Sequence, residues 1–205
     1  MRTLSTAAEI IASQQLRGQI YAGERGYLAT TDLKSDGRDE DDFDAKAIHG
    51  GVFSLDGALL GSVRLIEAGD TPLPIATLYG ITPARGDLEV SRLVVHPKYR
   101  HSVVTMALFH WVLWESIDRG VEGLLAILER PLLVSIQTVG FPFVALGEPR
   151  SVYPNSIDLP VRCEVADLLS GVRRADLRRT HKFLEFFENR LDRGRLPAAF
   201  ALPES

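Results

Sequence analysis

The tightest constraint on this chain is a strand–helix–strand run between Leu88 and Leu128. Leu88–His96 is apolar and rich in β-branched residues, and Pro97 ends it. Ser102–Arg119 then has helical spacing, with Met106, Phe109, Leu113 and Ile117 along one face, and Gly120 supplies a stop. Leu124–Leu128 has the length of a short buried strand. The flanking segments read differently. Ile48–Leu55 and Ala58–Ile66 are apolar runs separated by Asp56-Gly57, the strongest short hairpin signal in the sequence. Phe141–Leu146 and Ile157–Val165 read as further strands. Leu132–Val139 reads as a helix closed by Gly140. Residues 5–22 have helical spacing, with Ile10, Ile11, Leu16 and Ile20 toward one side and Ser5 or Thr6 as cap. A strand–helix–strand unit among antiparallel pieces predicts an α/β (mixed α+β) fold, with a mixed, mostly antiparallel sheet flanked by helices.

Residues 67–86 carry several prolines and glycines and read as a long loop. Residues 173–193 read as a charged helix with Leu177, Leu184, Phe187 and Leu191 on one face. There is no internal repeat, low-complexity tract or linker, so residues 1–205 are expected to form one domain. The net charge of −4 is unlike that of a general nucleic-acid binder. Cys163 is the only cysteine, which excludes an intrachain disulfide and a cysteine-rich zinc site, and a reducing compartment fits best. The longest uncharged run, 131–147, is broken by Gly140 and Pro142, so no membrane-spanning helix is expected. Glu9 interrupts the apolar stretch behind Arg2, which speaks against a signal peptide and leaves the cytoplasm as the expected location.

Chemistry-bearing residues fall in four places. Glu89-Val90-Ser91-Arg92 puts a carboxylate and a guanidinium inside an apolar strand, where each is costly unless paired or used. Alternation predicts Glu89 and Ser91 on one face, Val90 and Arg92 on the other. The pattern fits a strand-end ion pair or a general base beside a cation. Asp36–Asp44 holds six acids in nine positions. Such runs ordinarily form solvated loops, but Phe43 in its midst points to a loop that packs down and aims Asp41 and Asp44. Arg64 lies in a strand, where an arginine ordinarily sits on a solvated face. Val95-His96-Pro97-Lys98-Tyr99-Arg100 joins strand to helix, where a helix N-terminus can receive an anion. No spacing of His, Cys or Asp makes a metal site.

In their order and spacing these segments resemble the GNAT acyltransferase superfamily. The pieces are Arg17-x-x-x-Tyr21, Glu24-Arg25-Gly26-Tyr27, Asp41-x-x-Asp44, Gly61-x-x-Arg64, Glu89-x-Ser91-Arg92 and Val95-x-Pro97-x-Tyr99-Arg100. The joint pattern, over roughly 16–147, is similar to the bacterial acyl-homoserine-lactone (autoinducer) synthases. It is also similar to the N-acyl amino acid synthases and the exosortase-associated acyltransferases. Asp41-Asp42-Phe43-Asp44-x-x-Ala47-x-His49 resembles the ornithine-lipid N-acyltransferases as well.

The resemblance implies a GNAT-like acyl-CoA N-acyltransferase fold and transfer of a fatty acyl chain from a thioester to a primary amine. Glu89 is then the base and Arg92 its catalytic neighbour, bracing the acidic loop or the acceptor. Arg17, Tyr21, Tyr27, Asp41, Asp44 and Arg64 bind the acceptor. Val94, Val95 and Arg100 hold the acyl thioester. Phe109, Trp111, Phe141 and Phe143, with Trp114, line the acyl tunnel. No tightly bound cofactor is implied; acyl carrier protein (acyl-ACP) or acyl-CoA brings the donor, and S-adenosylmethionine or an amino acid is the acceptor. Two departures bear on these choices. The turn at 100–105 has no glycine to cradle a pyrophosphate, which favours a carrier-protein donor. Tyr27 replaces the autoinducer synthases' tryptophan, and Leu78-Tyr79 stands where they have phenylalanine, which weakens S-adenosylmethionine. The excess of basic residues between Arg173 and Arg195, eight against four acids, offers a docking face for an acidic carrier protein. The competing readings are an ordinary CoA-dependent acetyltransferase and an inactive acyl-binding module.

Overall fold

The computed structural model describes residues 1–69, 72–100, 102–138 and 141–167. The charged helix expected at 173–193, with its docking face, lies outside the described residues, as does Gly140.

Strand β1 (Arg2–Thr3) leads into helix α1 (Ala7–Gly18). Thr6 starts the helix: its hydroxyl accepts from the Glu9 amide, and the Glu9 carboxylate accepts from the Thr6 amide. The helix runs on as a π-helical turn, Gln19–Glu24. A hairpin follows, β2 (Ile48–Phe53) and β3 (Leu59–Glu67), with Gly57 at φ +89° in its turn. Then come α2 (Pro74–Tyr79), β4 (Leu88–Val95), α3 (Val103–Asp118), β5 (Gly123–Glu129), α4 (Arg130–Thr138), β6 (Val144–Ala145) and β7 (Asp158–Glu164). The sheet order is β1-β2-β3-β4-β5-β7-β6. Among the described residues, only β4 and β5 pair in parallel, as the α3 crossover demands. The expected mixed, mostly antiparallel sheet is what forms.

Helix α3 covers one face. Leu108 and Leu113 pack there with Val63, Leu65, Leu88 and Leu124 in the main core. Helix α1 covers part of the other face, where Leu16 and Ile20 meet Val94. No helix among the described residues is long and apolar enough to cross a membrane.

Two segments depart from expectation. Residues 74–79 form a short helix where a loop is expected, with proline at its first position and Gly80 at φ +70° closing it. The strand expected over 141–146 shrinks to two residues. The Phe141 amide donates to the Ile136 carbonyl and Gln137 Nε2 donates to the Phe143 carbonyl, so α4 takes the backbone groups a ladder would need.

The acid-rich loop is clamped onto α1. A Cβ on Gly18 would stand 2.0 Å from the Gly37 carbonyl oxygen, and the Asp39 amide donates to the Gln14 carbonyl. Gly18→Ala is therefore expected to cost about 1–3 kcal/mol by overpacking. Urea unfolding measures it; an unchanged midpoint would show that α1 and the loop have room to part.

Candidate active site

A single misfit residue shapes the site. Ser62 pairs with Val94 and Arg64 with Ser91, so Arg92 and Leu93 of β4 together oppose Val63 of β3. Arg92 takes φ +51°, rare for a residue with a Cβ. This is a β-bulge, which bends its strand and re-aims its side chains. The expected alternation fails here for that reason. Arg92 joins Ser91 on the α1 face, with its guanidinium 5.4 Å from the Tyr21 ring. The bulge also parts the strands. β4 pairs with β5 only at Leu88, Glu89 and Val90, while β5 stays paired to β7 as far as Glu129. Beyond Val90 a wedge opens between them, and a cleft of about 750 Å³ occupies it.

The open edge of β4 presents backbone groups to this cleft. Tyr21 Oη lies 3.5 Å from the Leu93 carbonyl, and Arg100 Nε donates to the Val95 carbonyl at 3.4 Å. The His96 amide donates to Leu60 on the β3 side, so Val94, two residues back, also turns its backbone toward β3. Leu93 and Val95 therefore turn their amides to the cleft. Val94 and Val95, the two positions expected at the thioester, both line the cleft, together with Leu93. Arg100 lines the mouth, its guanidinium held bidentately by Glu24 at 2.6 and 2.7 Å.

Behind the bulge, three arginines meet three aspartates. Arg17 spans Asp44 with two bonds of 2.7 Å and bonds Asp39 through Nε at 3.0 Å. Arg64 donates to Ser91 Oγ at 3.1 Å, to Asp41 at 2.5 Å and to Asp44 at 2.9 Å. Arg92 donates to Asp39 at 2.8 Å, Asp41 at 3.3 Å and the Tyr153 hydroxyl at 3.0 Å. The acid run is thus only partly solvated: Asp36, Glu40 and Asp42 are exposed, Asp39 and Asp44 are buried, and Asp41 keeps 27% of its side chain exposed. Burial pushes the Asp44 carboxyl up, but the Arg17 fork outweighs it and holds the group well below the usual carboxylate range. Asp41, Arg64 and Arg92 line the cleft; Arg17 and Asp44, also expected at the acceptor, stand behind them and outside its lining. Asp39 carried no recognisable motif in the sequence, yet it joins Arg17 to Arg92.

Glu89 lines the cleft from the paired end of β4, only 1% exposed. Burial pushes its carboxyl up to about 7, against the opposing pull of the Ile75 amide at 3.0 Å, Arg64 and Arg92. A carboxyl titrating there accepts a proton readily at neutral pH.

Tyr21 and Tyr27 line the cleft as expected, and Tyr153 stacks on Tyr27 at 5.3 Å. Tyr153 sits in the connection between β6 and β7, where nothing in the sequence marked it. A second, mostly apolar cavity of about 120 Å³ opens off the wedge, and Phe109, Phe141 and Phe143 line it as expected of a tunnel. Trp111 does not. It lies two residues, or about 200°, around α3 from Phe109, packs over Gly50 and donates to the Thr3 hydroxyl. Trp114 donates to His110 Nε2 and is absent from both cavity walls.

The fold is the one found in GNAT-type acyltransferases. Residues 16–110 match the family model described as an acetyltransferase (GNAT) domain. No curated protein matches the chain in sequence. Among solved structures, the CoA-dependent acyl-homoserine lactone synthase BjaI with SAM and isopentyl-CoA superposes with a TM-score of 0.69 at 18% identity, covering 87% of this chain and 93% of that one. FeeM, an N-acyl amino acid synthase from uncultured soil microbes, gives 0.66 at 17% identity over 83% and 92%. The AHL synthase LasI gives 0.66 at 13% identity over 82% and 91%. Residues 16–110 therefore match a GNAT acetyltransferase domain, and the described residues have the fold of these acyltransferases.

Proposed function

We propose that the protein is an N-acyltransferase that moves an acyl chain from a pantetheine thioester to a primary amine, forming an amide. The observation that carries this reading is Glu89, a buried carboxyl pushed up to about 7 at the closed end of a cleft that runs along the strand edge β5 leaves open beyond Val90.

The thioester lies along the open edge of β4, its carbonyl oxygen accepting from the Leu93 or Val95 amide. Preorganised donors of this kind stabilise the oxyanion that develops on attack. The acceptor amine arrives largely protonated, and Glu89 takes its proton directly or through a water. The amine nitrogen then attacks the carbonyl carbon, a C–N bond forms, the C–S bond breaks and the thiol leaves with a proton. Asp41 is the cleft-facing carboxylate suited to an ammonium. Arg64 and Arg92 hold it in place, and Tyr27 with Tyr153 walls the mouth.

Acyl-CoA and acyl-ACP present the same pantetheine thioester, and this wedge fits that shared part. Two acceptors are compatible with the motifs, S-adenosylmethionine and an amino acid. Among the relatives of this fold, BjaI was captured with SAM and FeeM is an N-acyl amino acid synthase. The apolar chamber beyond the wedge favours a chain longer than acetyl over the ordinary acetyltransferase reading. The cleft-facing Glu89 speaks against an inactive acyl-binding module.

A base of this kind works only when deprotonated. The value of kcat/KM is therefore expected to rise with pH through a limb centred near 7. That limb should vanish in Glu89→Gln. A limb that survives the substitution would assign the titration to another group.

A further inference from the structure

We infer that the donor carries a short acyl chain, of about four to six carbons, and that the Phe109–Phe141 pair sets this limit. The inference rests on the acyl-transfer reading and narrows its donor. The chamber is continuous with the cleft, because Val90, Ser91, Leu93, Ile127, Leu128 and Leu132 face both. It begins at the bulge, where the thioester carbonyl sits, and runs between the splayed strands toward α3 and α4. Its far wall is aromatic. Phe109 of α3 meets Phe141 at 5.3 Å between centroids, with planes 49° apart, and Phe143 and Ile136 fill in behind.

This wall is packed and hydrogen-bonded in place. Phe141 is 3% exposed and its amide is tied to the Ile136 carbonyl. Phe143 is 5% exposed and its carbonyl accepts from Gln137. Tightly packed interiors do not open by a few ångströms without cost. The chamber holds about 120 Å³. An apolar cavity of ~150 Å³ accommodates benzene, a molecule of six carbons. A chain of about four to six carbons therefore fills the chamber, and a longer one meets the Phe109 and Phe141 rings.

The test uses S-alkyl pantetheine thioethers, from ethyl to dodecyl, titrated calorimetrically into the full chain. These ligands need neither turnover nor an identified acceptor. Affinity is expected to rise about fourfold per methylene, the worth of a buried CH₂, up to about hexyl. It should fall at least about tenfold by decyl. Phe109→Ala and Phe141→Ala should move the optimum to longer chains, and Phe109→Trp should move it to shorter ones. The opposed directions keep the test decisive if one alanine variant fails to fold. A wild-type affinity that climbs unbroken to dodecyl, or one optimum shared by all folded variants, overturns the short-chain limit alone. A chain that binds no thioether of any length overturns the pantetheine-donor reading as well.

Discussion

Glu89→Gln is expected to lower acyl transfer at least about a hundredfold, the lower end of what a positioned general base contributes. The same substitution should make the protein more stable, and this pairing separates chemistry from folding. In the unfolded chain Glu89 ionises at the ordinary carboxylate value of 4.5, and in the folded protein at about 7. Between those values the folded state keeps a proton that the unfolded state has released. Stability therefore falls as pH rises through that window and levels off above 7. The loss reaches about 3 kcal/mol, because each pH step of one between the two ionisation points is worth about 1.36 kcal/mol. Glutamine never ionises, so the variant escapes the loss. Urea unfolding at pH 5 and pH 8 should show a wild-type protein weakened at the higher pH and a variant that is not. A variant that loses activity and stability together at pH 8 would make Glu89 a structural residue.

The second large effect divides two aspartates three residues apart. Asp44→Ala strips Arg17 of its bidentate partner inside the protein, where Arg17 is 1% exposed. Breaking a buried pair from one side costs about 3–5 kcal/mol, because the remaining charge is left uncompensated. Since Asp44 is held below the usual carboxylate range, its contribution is present at neutral pH and lost as pH falls through the acid range. Asp41→Asn should behave differently. Asp41 is partly exposed to the cleft, so its loss is expected to raise the acceptor KM at least about tenfold, the worth of one charged hydrogen bond. Its stability should change little by comparison. Thermal unfolding beside acceptor and donor KM values distinguishes the two. If Asp41→Asn moves only the donor KM, Asp41 belongs to the thioester side.

The elements legible in the sequence were those whose periodicity and punctuation agree. The Asp56-Gly57 hairpin, the α3 stripe and the β4–α3–β5 unit formed within a few residues of expectation. The bulge was not legible. Nothing in Glu-Val-Ser-Arg-Leu-Val-Val says that one residue will drop out of register. Only pairing with β3 reveals that Arg92 is supernumerary, and with it which amides face the cleft. Asp39 and Tyr153 were missed because each acts through a contact distant in sequence, 53 and 61 residues from Arg92. Trp111 was misjudged because apolar composition does not give helix phase. Arg17 and Asp44 carry the motif but lie behind the cleft, outside its lining.

The most direct test mixes purified protein with acyl-pantetheine donors and a panel of primary amines, and follows thiol release together with amide product by mass spectrometry. The expected result is one amide formed per thiol released, with Glu89→Gln slower by at least about a hundredfold. Thiol release without amide would mean that water, not an amine, is the nucleophile. Equal rates for wild type and Glu89→Gln would remove Glu89 from the chemistry.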